Sequence, residues 1–154
     1  MGIAVLAPVP ASILKSAIET CVTAGRVAFG SKVWNVFDKA TTEYGKGIPV
    51  LICPTGRKDD PDELCPSVGY VNFRSLYLGT VQAVAGRHPN PDVRPSATIS
   101  DTDDWDFFWE VSNLHKLAKQ DQIAITDLIS EGNGKPLTKS YPLYRPILVT
   151  ASFL

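Results

Sequence analysis

Histidine and cysteine are scarce, with two of the first and three of the second among 154 residues. His88, His115, Cys21, Cys53 and Cys65 nowhere show the close C-x₂-C or H-x₃-H spacing of a structural zinc site. An odd cysteine count leaves one thiol unpaired under any disulfide scheme, and reduced thiols in a cytoplasmic protein are the expectation. No segment approaches the ~20 consecutive apolar residues that span a bilayer. The opening stretch MGIAVLAPVPASILKS has no basic residue ahead of its apolar run, which speaks against a secretory leader. Leu6 stands where an acylation signal wants Ser or Thr. Neither sign of charge is in excess. The formal net charge of -1 removes any global pull toward nucleic acid, so such a partner would need a local basic patch.

Signatures of catalysis are missing as well. The stretch PTGRKDD has one glycine, no GK[ST] and no helical pattern after it, which excludes a phosphate loop. The acidic run DTDDWD (Asp101, Asp103, Asp104, Asp106) invites a calcium reading, yet the twelfth position of such a loop falls on Ser112, where a bidentate acid is needed. Neither Cys53 nor Cys65 has a local partner that would mark a Cys–His nucleophile. No metal and no cofactor is expected. What remains for acid–base work is Glu110, Asp106 or His115.

The rest of the composition is that of an ordinary globular chain, 44% hydrophobic and 20% charged, and residues 1–154 read as a single domain. Twelve prolines and eleven glycines predict many turns and short elements. The organising stretch is Tyr70–Val84 (YVNFRSLYLGTVQAV), proline-free and rich in aromatic and β-branched residues, hence a long bent strand with Gly79 at a bulge. Val71, Phe73, Tyr77, Val81 and Ala83 are expected on one face, Leu76, Leu78 and Val84 on the other. Before it, Ile3–Leu6 reads as a short strand stopped by Pro8 and Pro10, and 11–23 as a helix ended by Gly25. Strands follow at 26–30 and 48–53, with a short helix after Ser31 carrying Val33, Trp34, Phe37 and Ala40. The polar stretch 54–66 and the stretch 85–104 read as loops, 105–113 as a strand, 123–130 as a short helix and 144–153 as a closing strand. The expected fold class is α+β, a mixed or closed sheet of about six strands with one long N-terminal helix and short helices.

The runs VAFGSKVWNVF, GIPVLICPTG, RSLYLGTVQAV and WDFFWEVSNLHKL, in that order, resemble the PUA-like superfamily and its EVE and ASCH type domains. The matching pieces are Ser31 to Phe37, Gly47 to Cys53, Leu76 to Val84 and Trp105 to Leu117. The resemblance implies a small mixed β-barrel with a cleft for RNA or for a flipped, modified base. It implies a non-enzymatic binding module, with a small nucleotide-directed enzyme or a protein-interaction subunit as the alternatives.

Holding an extruded base takes aromatic faces, worth about 1–3 kcal/mol per stacked base, and polar groups at its edge. Faces are available from Trp34, Trp105, Trp109 and Tyr77, and edge groups from Ser31, Asn35, Arg74 and Asn113. Lys32, Arg87, Arg94 and Lys116 are the phosphate-binding candidates. Each has a structural alternative. Trp109, between Phe107 and Val111, reads as core; Trp34 is either a partner of Phe37 or a pocket wall. Trp105 is a strand-end anchor or a stacking face. Arg74 is a ligand contact or the ion-pair partner of Glu110.

Overall fold

Branched and aromatic side chains fill a pleated surface, and the stretches that carry them form nine strands among the described residues. The computed structural model describes residues 2–32, 34–55, 69–98, 104–138 and 145–154. Strand β1 is Gly2–Pro10, followed by helix α1 (Ala11–Ala24), β2 (Val27–Ser31), helix α2 (Asn35–Lys39) and β3 (Pro49–Thr55). Then come β4 (Tyr70–Val71), β5 (Phe73–Gln82), β6 (Phe107–Lys116), β7 (Ile123–Ala124), β8 (Ile129–Ser130) and β9 (Ile147–Ala151).

Seven strands make one sheet in the order β2-β6-β5-β3-β1-β9-β8, while β4 and β7 pair by themselves. Only β1 and β3 run parallel. The α+β class stands, but the sheet is open: its outer strands are β2 and β8, and they do not meet. The expected barrel of about six strands is therefore corrected to an open seven-stranded sheet and a two-stranded ribbon. A physical obstacle to closure sits at β2, where the Arg94 guanidinium donates to the Ala28 carbonyl at 2.7 Å and occupies the edge a further strand would need.

The expected long N-terminal helix is also corrected. The helix α1 has fourteen residues, close to the usual length, and it follows a nine-residue strand. It ends on Gly25 at φ 80, whose N–H donates to the Cys21 carbonyl. Strand β1 continues through Pro8 and Pro10 rather than stopping there. Its ladder to β9 covers only Gly2–Leu6, so the prolines fall where one side of β1 has no strand to donate to.

Period-two alternation separates the two faces of the sheet. Val5, Ala7 and Val9 join Leu14 and Ala17 of α1, Phe37 of α2, and Phe29, Phe73, Tyr77, Phe107 and Trp109 in one core. Ala4 and Leu6 join Leu51, Val71, Leu128 and Val149 on the opposite face. A small third group holds Ala28, Val93 and Phe108, with Trp105 packed against it. The single strand expected over Tyr70–Val84 breaks at Asn72, so Val71 and Phe73 enter different cores. The Asn72 N–H donates to Ile52 and its carbonyl accepts from Leu117, contacts that leave β4 free to turn toward β7. Gly79, at φ 139, does lie at a register shift against β6. Residues 123–130 form β7, one tight turn and β8 in place of the expected helix, because Ile125 and Leu128 must both reach the second core. Among the described residues no helix is long and apolar enough to cross a membrane.

The Phe37 ring lies 5.3 Å from Trp109, 5.7 Å from Phe107 and 6.0 Å from Tyr77, centre to centre, and is fully buried. Phe37→Ala is expected to cost about 3–5 kcal/mol, read as a lower urea midpoint at unchanged slope. Burial pushes the Cys53 thiol up to about 12. The stabilisation from keeping it protonated is complete below the unfolded value of about 8.5 and is lost as pH climbs toward the raised one. Stability should thus fall from about pH 8.5 toward pH 12, and Cys53→Ala should flatten that fall.

Candidate functional site

Strand β2 is an outer strand whose side chains alternate between the two faces. The Phe29 ring turns into the main core, 4.6 Å from the Trp109 ring. Its neighbour Gly30 faces the other way, and there the Trp105 indole rests directly on the Gly30 α-carbon. A β-carbon at Gly30 would overlap that ring, so only glycine lets the indole come this close to the strand. The Trp105 N–H donates to the Gly86 carbonyl at 3.1 Å, and Gly86 itself has φ 78 with Asp104 packed where a side chain would go.

A cavity of ≈ 370 Å³ opens at this edge. Phe29, Trp109 and Trp105 supply aromatic walls; Pro10 and Ile13, at the start of α1, supply an apolar one. Lys32, Arg94 and Arg145 bring positive charge, and no Asp, Glu or His is among the described residues that line it. Lys32 and Arg145 are exposed. Arg94 is held in place by the Ala28 carbonyl and by the Phe108 ring, 4.9 Å below its guanidinium carbon. The cavity can accept a flat, anionic molecule, with rings for stacking and cations at the rim.

Five of the residues singled out from the sequence line this cavity: Ser31, Lys32, Arg94, Trp105 and Trp109. The others lie elsewhere. Trp34 stacks on Phe107 with ring centres 3.9 Å apart, which makes it a partner of the core. Tyr77 is buried, and its hydroxyl shares a 2.9 Å hydrogen bond with Thr41. Burial pushes that phenol up, with the Thr41 contact opposing. Asn35 borders a separate hollow of ≈ 250 Å³ beside the 2.9 Å Lys39–Glu131 ion pair. Arg74 stands opposite Leu51, which belongs to the second core, on a strand two in from the β2 edge, and does not line the cavity. Asn113 and Lys116 lie about 20 and 30 Å along β6 from Phe107 at ~3.3 Å per residue. Arg87 is exposed in the tight turn that links it to Val84. Trp34 and Arg74 therefore do not open onto this hollow.

The ion pair with Glu110, one of the two alternatives for Arg74, does not form among the described residues. Glu110 faces oppositely to Trp109 and accepts from His88 Nε2 at 2.9 Å, with Arg26 Nε at 3.5 Å. The Asn90 N–H donates to His88 Nδ1 at 2.8 Å, so the ring proton sits on Nε2. This network ties the segment after β5 to β6 from behind the cavity. Sequence reasoning left out Phe29 and Arg145; Trp109, read as core or as a stacking face, is 3% exposed and lines the cavity. The signal for Phe29 was its place beside a glycine on an edge strand. Arg145 had none.

No family model, curated protein or solved structure matches the chain.

Gly30→Val is expected to displace Trp105 and cost about 1–3 kcal/mol, with a changed tryptophan emission spectrum. Gly132→Ala, where a β-carbon meets nothing closer than Ser130 Oγ at 3.9 Å, is the control and should leave both unchanged.

Proposed function

We propose that the chain is a non-enzymatic binding module of the PUA-like kind, which takes a nucleobase of RNA or a flipped, modified base of DNA into this cavity. The reading rests on one observation. Trp105, Phe29 and Trp109 meet Lys32, Arg94 and Arg145 around one concave surface, and no Asp or Glu is among the described residues that line it. Stacking on the indole holds any base, since every base has a π-face, and the rim cations position the phosphates without reading sequence. The volume of ≈ 370 Å³ lies near the small end of ligand sites, ~300–1,000 Å³, and suits one nucleotide unit rather than a run of them. An extruded base is such a unit. The acid–base candidates Glu110, Asp106 and His115 do not line the cavity, and no observation favours turnover there.

Filter binding with single strands, structured RNA and modified duplex DNA tests the proposal. Affinity for the preferred nucleic acid should fall with salt, each single-strand phosphate contact contributing about 0.7 to the log–log slope. Lys32→Ala should lower that slope by about one such step. Trp105→Ala should cost about 1–3 kcal/mol. Lys116→Ala should change neither. Absence of salt-sensitive binding to all three classes would reject the reading.

A further inference from the structure

We infer that the cavity reads its ligand through the main chain of Gly30, and so takes a heterocycle whose pairing edge carries a hydrogen-bond donor next to an acceptor. This rests on the nucleobase reading above and names what that site would select. Strand β2 is outermost in the sheet, so every second residue points its N–H and C=O away from β6. The parity is set by two bonds. The Ser31 carbonyl accepts from the Asp106 N–H on the β6 side, at 3.3 Å, and the Ala28 carbonyl accepts from Arg94 on the outer side, at 2.7 Å. Gly30 shares the parity of Ala28. Its N–H and C=O therefore face outward, and Gly30 lines the cavity.

Arg94 occupies the outer edge at Ala28, one step along, which leaves the Gly30 pair as the main-chain position presented to a ligand inside the cavity. The rings bracket that pair. Phe29 packs on one face of the sheet and Trp105 on the other, and both reach the cavity. A flat heterocycle lying in the plane of the sheet, as a partner strand would, meets the Gly30 edge with an aromatic ring on either side of it. Lys32 leaves the end of the same strand and Arg145 is exposed at the rim, where they can meet a phosphate attached to the heterocycle.

A main-chain N–H beside a C=O pairs with an acceptor beside a donor, such as N3–H and O4 of uracil or N1 and N6–H of adenine. A methyl group on the ring nitrogen of that edge removes one bond and blocks the approach. The same group elsewhere on the ring does neither.

The test uses the full chain with the trinucleotides UUU and AAA, followed by tryptophan quenching. The comparisons are the 3-methyluridine and 1-methyladenosine forms, with 5-methyluridine as the control. At least one parent should bind, its edge-methylated form at least about tenfold more weakly, and the 5-methyluridine form about as well as UUU. In parallel, the Gly30 amide proton resonance should move downfield with the bound parent and stay in place with the edge-methylated form. Equal binding of parent and edge-methylated forms, or a Gly30 amide unmoved while the Trp105 indole resonance shifts, overturns the main-chain reading but leaves the nucleobase reading standing. Failure of both parents, together with failure of all nucleic acids in filter binding, overturns both.

Discussion

A run of ring contacts crosses one face of the sheet and fixes what lies at its edge. Trp34 stacks on Phe107, Phe107 meets Phe37 edge-on, Phe37 stacks on Trp109, and Trp109 leans on Phe29. These rings come from α2, from β6, from β2 and from the segment just before α2, elements that local sequence alone would not bring together. Aromatic pairs at such spacings contribute about 0.5–1.5 kcal/mol each beyond the area they bury, and their rigid planes leave little freedom for the last ring in the row. Phe29 and Trp109 are thus placed at the cavity as a consequence of core packing.

The opposite face at the same edge is built around an absence. Gly30 has no side chain, and the Trp105 indole takes the vacated space. The Gly86 carbonyl and the Arg94 guanidinium then secure the segments that carry the cavity's other wall. The buried His88–Glu110 contact, with Arg26 beside it, anchors the same region from behind. Glu110, held by that contact, is not among the described residues that line the cavity. Edge strands present unpaired main-chain groups, and here part of that edge is closed by a side chain while part opens onto a concave site.

The strands could be read along the chain because alternation of apolar residues is a local property: β3, β5, β6 and β9 all lie where branched and aromatic residues cluster. Boundaries were less visible. The break at Asn72 depends on bonds to Ile52 and Leu117, distant in sequence, and the tight turn at 125–127 depends on a core its own residues do not reveal. Trp105, Ser31, Lys32 and Arg94 were candidates by residue type, and they do share a cavity. Trp34, Tyr77 and Arg74 had equal standing by type. Stacking on Phe107, a bond to Thr41 and a place on β5, two strands in from the edge, keep them out of it.

By itself the sequence determined the α+β class, the longer strand-forming stretches, the bulge at Gly79 and the scarcity of metal ligands, because periodicity and composition act over a few neighbouring residues. Only the tertiary structure decided that the sheet stays open, that Glu110 pairs with His88, and that Phe29 and Arg145 join Trp105. Those outcomes turn on register and on which strand lies outermost, and both are set by contacts between residues far apart in the chain.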